Sequence, residues 1–312
     1  MTLYEGNFLA LGAAFCWTAS TLFFSEAGRR IGSLPVNVIR LALALVFLSV
    51  YGRVARGLWL PTDFSRENWF WLSLSGFVGF FLGDLFLFRA MVLIGPRLSS
   101  LLMALAPPIA ALTSWLWMNE TLGLREILGM MITIVGVGWV VLERPVNSDG
   151  QAIRVSPVGV LLAILGAAGQ GVGLVMSKQG MLNSSPGLST AMASTQIRAI
   201  TGLSAFLLLS LFMRRLRKLV IATRNLPALG LTTGGAIAGP FLGVAFLMRA
   251  IQIIPAGVAQ TITATVPVLI LPVLILFYKE RISWRAALGA VIAVGGISLL
   301  FLHPLPPTPP SE

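Results

Sequence analysis

The stretch FLGDLFLFRA at residues 81–90 returns as FLGVAFLMRA at residues 241–250. From there the correspondence runs to residues 142 and 302 without a gap, at a constant offset of 160, with about 18 identities in 62 pairs. It sets Arg89 against Arg249, Pro107 against Pro267, Glu120 against Glu280, Gly129 against Gly289 and Gly136 against Gly296. Upstream the match thins but continues. Gly12-Ala13-Ala14 answers Gly166-Ala167-Ala168 at offset 154, and Ile39-Arg40 answers Ile197-Arg198 at offset 158. The drift to 160 reflects longer loops in the second copy. A period this long is not a solenoid unit; it marks a duplicated half-protein. The expected halves are residues 1–145 and 155–303, joined by the polar, turn-rich run Glu143 to Gly150 and followed by a proline-rich tail, 304–312.

The repeat is written in apolar residues. The chain is 56% hydrophobic and only 11% charged, with a mean hydropathy of +0.89. A soluble domain carries about 25% charged residues, so lipid is the expected solvent. A bilayer-spanning helix needs about 20 mostly apolar residues. Ten stretches qualify, at 7–25, 35–52, 68–90, 96–118, 124–142, 156–177, 188–212, 226–249, 256–278 and 284–302. The first is not a cleaved leader: Glu5 stands where a basic n-region would, and the stretch belongs to the repeat. Trp59, Trp69 and Trp71 flank the third, as an interfacial aromatic belt would.

Five spans per half is an odd number, so the second copy must enter the membrane inverted relative to the first. The expected fold is an all-α integral membrane protein of ten transmembrane helices in two inverted five-helix repeats. That is the architecture of secondary transporters, which rock one bundle against the other around a midplane site. Of the 22 Lys and Arg, 14 follow spans 1, 3, 5, 7 and 9, six fall in the other loops, and Arg40 and Arg198 lie inside spans. That count favours cytoplasmic odd loops and external termini. The net charge of +11 is therefore a topology signal rather than a nucleic-acid surface.

Several chemistries drop out. The one cysteine, Cys16, excludes an internal disulfide or a cysteine metal cluster. The one histidine, His303, ends the last span, so a histidine metal site or a Ser-His-Asp triad is not expected. No GxxxxGK[ST] loop is present to drive transport with ATP, and no cofactor or metal is expected.

A few residues stand out for lying where charge or polarity is expensive. Arg40 in span 2 and Arg198 in span 7 occupy equivalent places, and a charge at bilayer depth costs roughly 2.5–3.5 kcal/mol. Each reads either as an anion contact at a cavity or as a clamp on carbonyls or an acid. Asp84 is the one carboxylate deep inside a span, and its repeat partner is Val244. It reads as a proton-exchanging group, or as the partner of an arginine such as Arg40. Trp17, in the middle of span 1, either stacks on substrate or fills the core. Gln170, Gln196, Gln260, Thr261, Thr263 and Thr265 offer substrate contacts or interhelical hydrogen bonds. Pro107-Pro108 and Pro267 interrupt spans 4 and 9 at matching positions, as gating or cavity-shaping kinks would. Gly129/Gly136 and Gly289/Gly296 lie two turns apart, a close-packing stripe. Glu120 and Glu280 suit the N-termini of spans 5 and 10.

In order, these features resemble the EamA repeat of the drug/metabolite transporter superfamily: Trp17, then Val38-Ile39-Arg40, Leu105-Ala106-Pro107, and Asn119-Glu120 before the glycine-striped fifth span. Arg198, Pro267, Glu280 and Gly289 repeat the series. The resemblance covers nearly the whole chain. It implies a ten-helix carrier in the plasma membrane (the inner membrane of a bacterium), often an exporter of amino acids or other small metabolites. It implies cytoplasmic termini, against the charge count. The expected partners are a small-molecule substrate and the bilayer, with proton coupling through Asp84 as an open route, and the expected assembly is a monomer or homodimer. An intramembrane enzyme on lipid-linked substrates would need several convergent carboxylates or histidines, which the spans lack; a non-transporting scaffold or scramblase is the other rival.

Overall fold

The computed structural model describes residues 3–142, 156–266, 268–270, 272 and 284–301. The first half comprises α1 (Leu3–Ile31), α2 (Ser33–Arg56), α3 (Arg66–Ser75), a π-helical segment π1 (Gly76–Gly83), α4 (Asp84–Met103), α5 (Ala106–Met118) and α6 (Leu124–Leu142). The second comprises α7 (Pro157–Gln179), α8 (Leu188–Phe212), a short α9 (Leu216–Ala222), α10 (Leu226–Ala236), π2 (Ile237–Gly243), α11 (Val244–Ala250), α12 (Ala256–Thr263) and α13 (Trp284–Phe301). No strand occurs among the described residues.

Among the described residues, six helical stretches are long and apolar enough to cross a bilayer: Tyr4–Ile31, Ser33–Arg56, Arg66–Ile94, Pro157–Gln179, Leu188–Phe212 and Leu226–Ala250. The expected spans 4, 5, 9 and 10 correspond to the shorter α5, α6, α12 and α13, and much of span 9 lies outside the described residues.

Glycine decides how the halves meet. On α6 and α13 a β-carbon at Gly136 would lie 2.4 Å from the Ala293 nitrogen and 2.8 Å from the Gly289 carbonyl oxygen. One at Gly296 would lie 2.5 Å from the Thr133 nitrogen and 2.8 Å from the Gly129 carbonyl oxygen. Each contact is the other shifted by 160 residues. Such self-complementarity is what a two-fold axis generates, and the ascending order on one helix meets the descending order on the other, so the pair is antiparallel. The same reciprocity appears elsewhere. α1 runs antiparallel to the α10–π2–α11 column, with Phe24 at Gly235, Trp17 at Gly243 and Gly6 at Ile253 and Ile254. α7 runs antiparallel to the α3–π1–α4 column, with Gly180 at Leu72, Gly173 at Gly79 and Gly159 at Leu93 and Ile94.

Spans 3 and 4 differ from expectation. The second half separates α11 from α12 by a turn at 251–254, whereas in the first half α4 continues past residue 95 to Met103. The chain still reverses there. Ile94 packs at Gly159 but Ala106 and Ala110 pack at Gly171, twelve residues further along α7 and about 18 Å up its axis. The expected boundary at residues 91–95 is thus a bend inside a hydrogen-bonded helix. The true break comes at Ala104 and Leu105, matched in the second half by Ala264 and Thr265. Pro107 sits just after it, buried in the first turn of α5; there it starts a helix, a position that needs no amide hydrogen, rather than kinking one. Pro267 lies outside the described residues.

Candidate functional site

Both halves contribute to a polar cluster midway along the apolar helices. The π1 segment positions it. An i→i+5 turn carries one extra residue and commonly marks a functional site. Here its last turn closes with the Asp84 amide donating to the Gly79 carbonyl, which sets the Asp84 carboxylate at the head of α4. Gly79 and Gly83 leave the segment bare, so that α7 approaches closely: a β-carbon at Gly173 would lie 3.0 Å from the Gly79 Cα. Gln170 on α7 then bridges the two features, its Nε2 donating to Asp84 Oδ1 at 2.9 Å and to the Gly79 carbonyl at 3.2 Å.

The other carboxylate oxygen of Asp84 accepts from Arg40 Nη2 in a buried ion pair. Arg40 Nε donates to Asn37 Oδ1 at 2.9 Å, and its guanidinium carbon lies 5.6 Å and 5.2 Å from the ring centres of Phe24 and Phe88. The pairing of Asp84 with Arg40 raised in the sequence is therefore present.

Arg198 has no such partner. It is 3% exposed, and among the described residues no carboxylate lies within ion-pair distance. Its Nε finds no hydrogen bond. Nη1 lies 3.4 Å from the Met248 sulfur, and the guanidinium stacks 4.3 Å from the Phe80 ring centre, a cation–π contact. The repeat explains the deficit. Met248 is the counterpart of Phe88, and each lies against the arginine of its own half. Val244 is the sequence counterpart of Asp84, so the second half carries no acid at the position that pairs with Arg40 in the first. The cluster carries two guanidinium groups against one carboxylate.

The remaining candidates are more scattered. Trp17, half-buried, packs on Gly243 at the end of π2, the place that Gln170 takes beside Gly83 in the other half. Gln196 lies outside the cluster; its Nε2 donates to Ser49 Oγ at 2.9 Å and the Trp59 carbonyl at 2.7 Å, tying α8 to the chain after α2. Gln260 is buried on α12. The hydroxyls of Thr261, Thr263 and Thr265 bond to carbonyls three or four residues back. Glu120 serves a helix N-terminus, but not that of α6. It accepts from the Ala256 amide at the start of α12 at 3.3 Å and pairs with Lys178 of α7, whose Nζ also donates to the Ile254 carbonyl at 3.0 Å. Glu280 lies outside the described residues.

The sequence reading missed the two π segments and the roles of Phe80 and Met248. The signals were present: GFVGFFLG and IAGPFLG are glycine-rich, poorly helical runs at matching positions, and Met248 aligns with Phe88.

Residues 5–142 and 157–302 match the EamA-like transporter family. The chain belongs to that family. The two EamA-like matches stop on either side of residues 143–156, which hold the polar linker. A solved crystal structure shares the fold of this EamA-like chain, with a TM-score of 0.69 and 19% identity over 95% of this chain and 96% of its own. No curated protein matches it.

Proposed function

We propose that this integral membrane protein is a secondary transporter that exports small metabolites such as amino acids. In this reading ten membrane helices form two inverted five-helix repeats, residues 1–145 and 155–303, which alternate access to a site between them. The site comprises Trp17, Arg40, Asp84, Gln170, Gln196, Arg198 and Gln260, and the breaks beside Pro107 and Pro267 serve as hinges. The observation that carries the reading is the buried cluster shared by both halves, with its surplus guanidinium. Holding Arg198 away from water costs several kcal/mol without a paired anion, a cost that a substrate carboxylate would offset on binding. The reciprocal, antiparallel α6–α13 contact supports the inverted arrangement. The membrane is the plasma membrane, the working unit a monomer or homodimer, and proton coupling, where it occurs, runs through Asp84.

Counterflow in proteoliposomes tests this. Labelled amino acids should accumulate transiently against an internal unlabelled pool, and Arg198→Met should abolish the accumulation. A scaffold or a scramblase gives no counterflow with any metabolite.

A further inference from the structure

We propose that the cleft between the α1–α2 turn and α9 binds the phosphate headgroup of an anionic phospholipid. The cleft encloses about 250 Å³, with Gly32, Ser33 and Leu34 on one wall and Arg215, Lys218 and Leu219 on the other. Arg215 and Lys218 are exposed, and neither pairs with a carboxylate among the described residues. Among the described residues no acid lines the cleft, and Glu26, the acid before it on α1, pairs with Arg29 and Arg30. On the Gly32 wall α2 opens with a glycine that offers no capping side chain, and its first turn holds no acid, so its first amides are left without a side-chain acceptor.

A lipid, rather than free phosphate, fits because of what surrounds the cations. α9 follows the end of α8 after three residues, so it lies at the depth of headgroups if α8 spans the bilayer. Leu216, Val220 and Ile221 of α9 are exposed, giving acyl chains an apolar surface next to the charges. Arg214 and Arg217 extend the basic run along the same segment. A short amphipathic helix with clustered Lys and Arg at a membrane surface attracts anionic lipid. The cleft adds a shaped place for one headgroup.

The test is native mass spectrometry of the full chain in detergent, titrated with phosphatidylglycerol or phosphatidylcholine and, separately, inorganic phosphate. One phosphatidylglycerol should bind at least tenfold more tightly than phosphatidylcholine. Arg215→Gln with Lys218→Gln should remove that preference. Ser33→Asp should weaken phosphatidylglycerol binding similarly while leaving thermal stability equal or higher, because an acid suits a helix N-terminus. Arg224→Gln, outside the cleft, should leave binding unchanged. Equal binding of the two lipids, equal loss in Arg224→Gln, or occupancy by inorganic phosphate alone would overturn the proposal.

Discussion

Two arginines in equivalent places answer to opposite rules. Arg40 is held by Asp84, so removing either partner strands a buried charge. Arg40→Met and Asp84→Asn should each lower stability by about 3–5 kcal/mol, read as a drop in Tm for the purified protein. Removing Arg198 leaves Asp84 still paired with Arg40, and an apolar side chain of similar length replaces a poorly satisfied cation. Arg198→Met should keep or raise Tm while transport falls. A matching loss of stability in both arginine variants would show that Arg198 has an anionic partner in the resting protein. Asp84→Asn also separates two roles for the carboxylate: pH-driven transport that survives in the folded fraction of this variant would exclude proton exchange at Asp84.

The helices are placed by where side chains are missing. Gly136→Ala and Gly296→Ala each drive a β-carbon into the backbone of the opposing helix, and each should destabilise by about 1–3 kcal/mol. Reciprocity predicts similar costs for the two. Gly295, one residue away, has open space around its β-carbon position, so Gly295→Ala should be neutral or slightly stabilising in the same thermal assay. These contacts were legible in the sequence as a seven-residue glycine spacing, because close helix packing imposes that pattern directly. The arginines of spans 2 and 7 were legible for the same kind of reason: a charge inside an apolar run is conspicuous. The partnership of Glu120 was not. Sequence proximity pointed to α6, whereas the end of α5 carries the carboxylate to α12, a choice made by tertiary approach. The π segments were also hidden, since one extra residue in a helical turn leaves the apolar pattern almost unchanged. The bend within α4 was missed because it happens without a gap in the hydrogen bonding, so no loop composition announces it.

At the scale of the whole molecule the halves lock together at four levels: α6 against α13, α2 against α8, each half's first helix against the other's third column, and the tie from Glu120 to Lys178 and Ala256. Lys178→Met removes the charge opposite Glu120 and should lower Tm without altering substrate selectivity in counterflow. The repeat has one more consequence. In a carrier built from two identical inverted copies, the states open to either side of the membrane would be interchangeable, hence equal in energy and equally populated. Here the helix packing follows that equivalence where α6 meets α13 and departs from it between the third and fourth spans, and the charge departs from it outright, because the acid exists at residue 84 and is missing at 244. In the proposed alternating-access carrier that lone carboxylate would lift the degeneracy and set a preferred facing, with each 1.4 kcal/mol of inequality shifting the populations about tenfold. Moving the acid across the repeat, Asp84→Val with Val244→Asp, should seat it against Arg198 and reverse that preference. Site-directed cysteine labelling from each side of the membrane reads the reversal, and an unchanged labelling pattern would mean that the vectorial bias is set elsewhere.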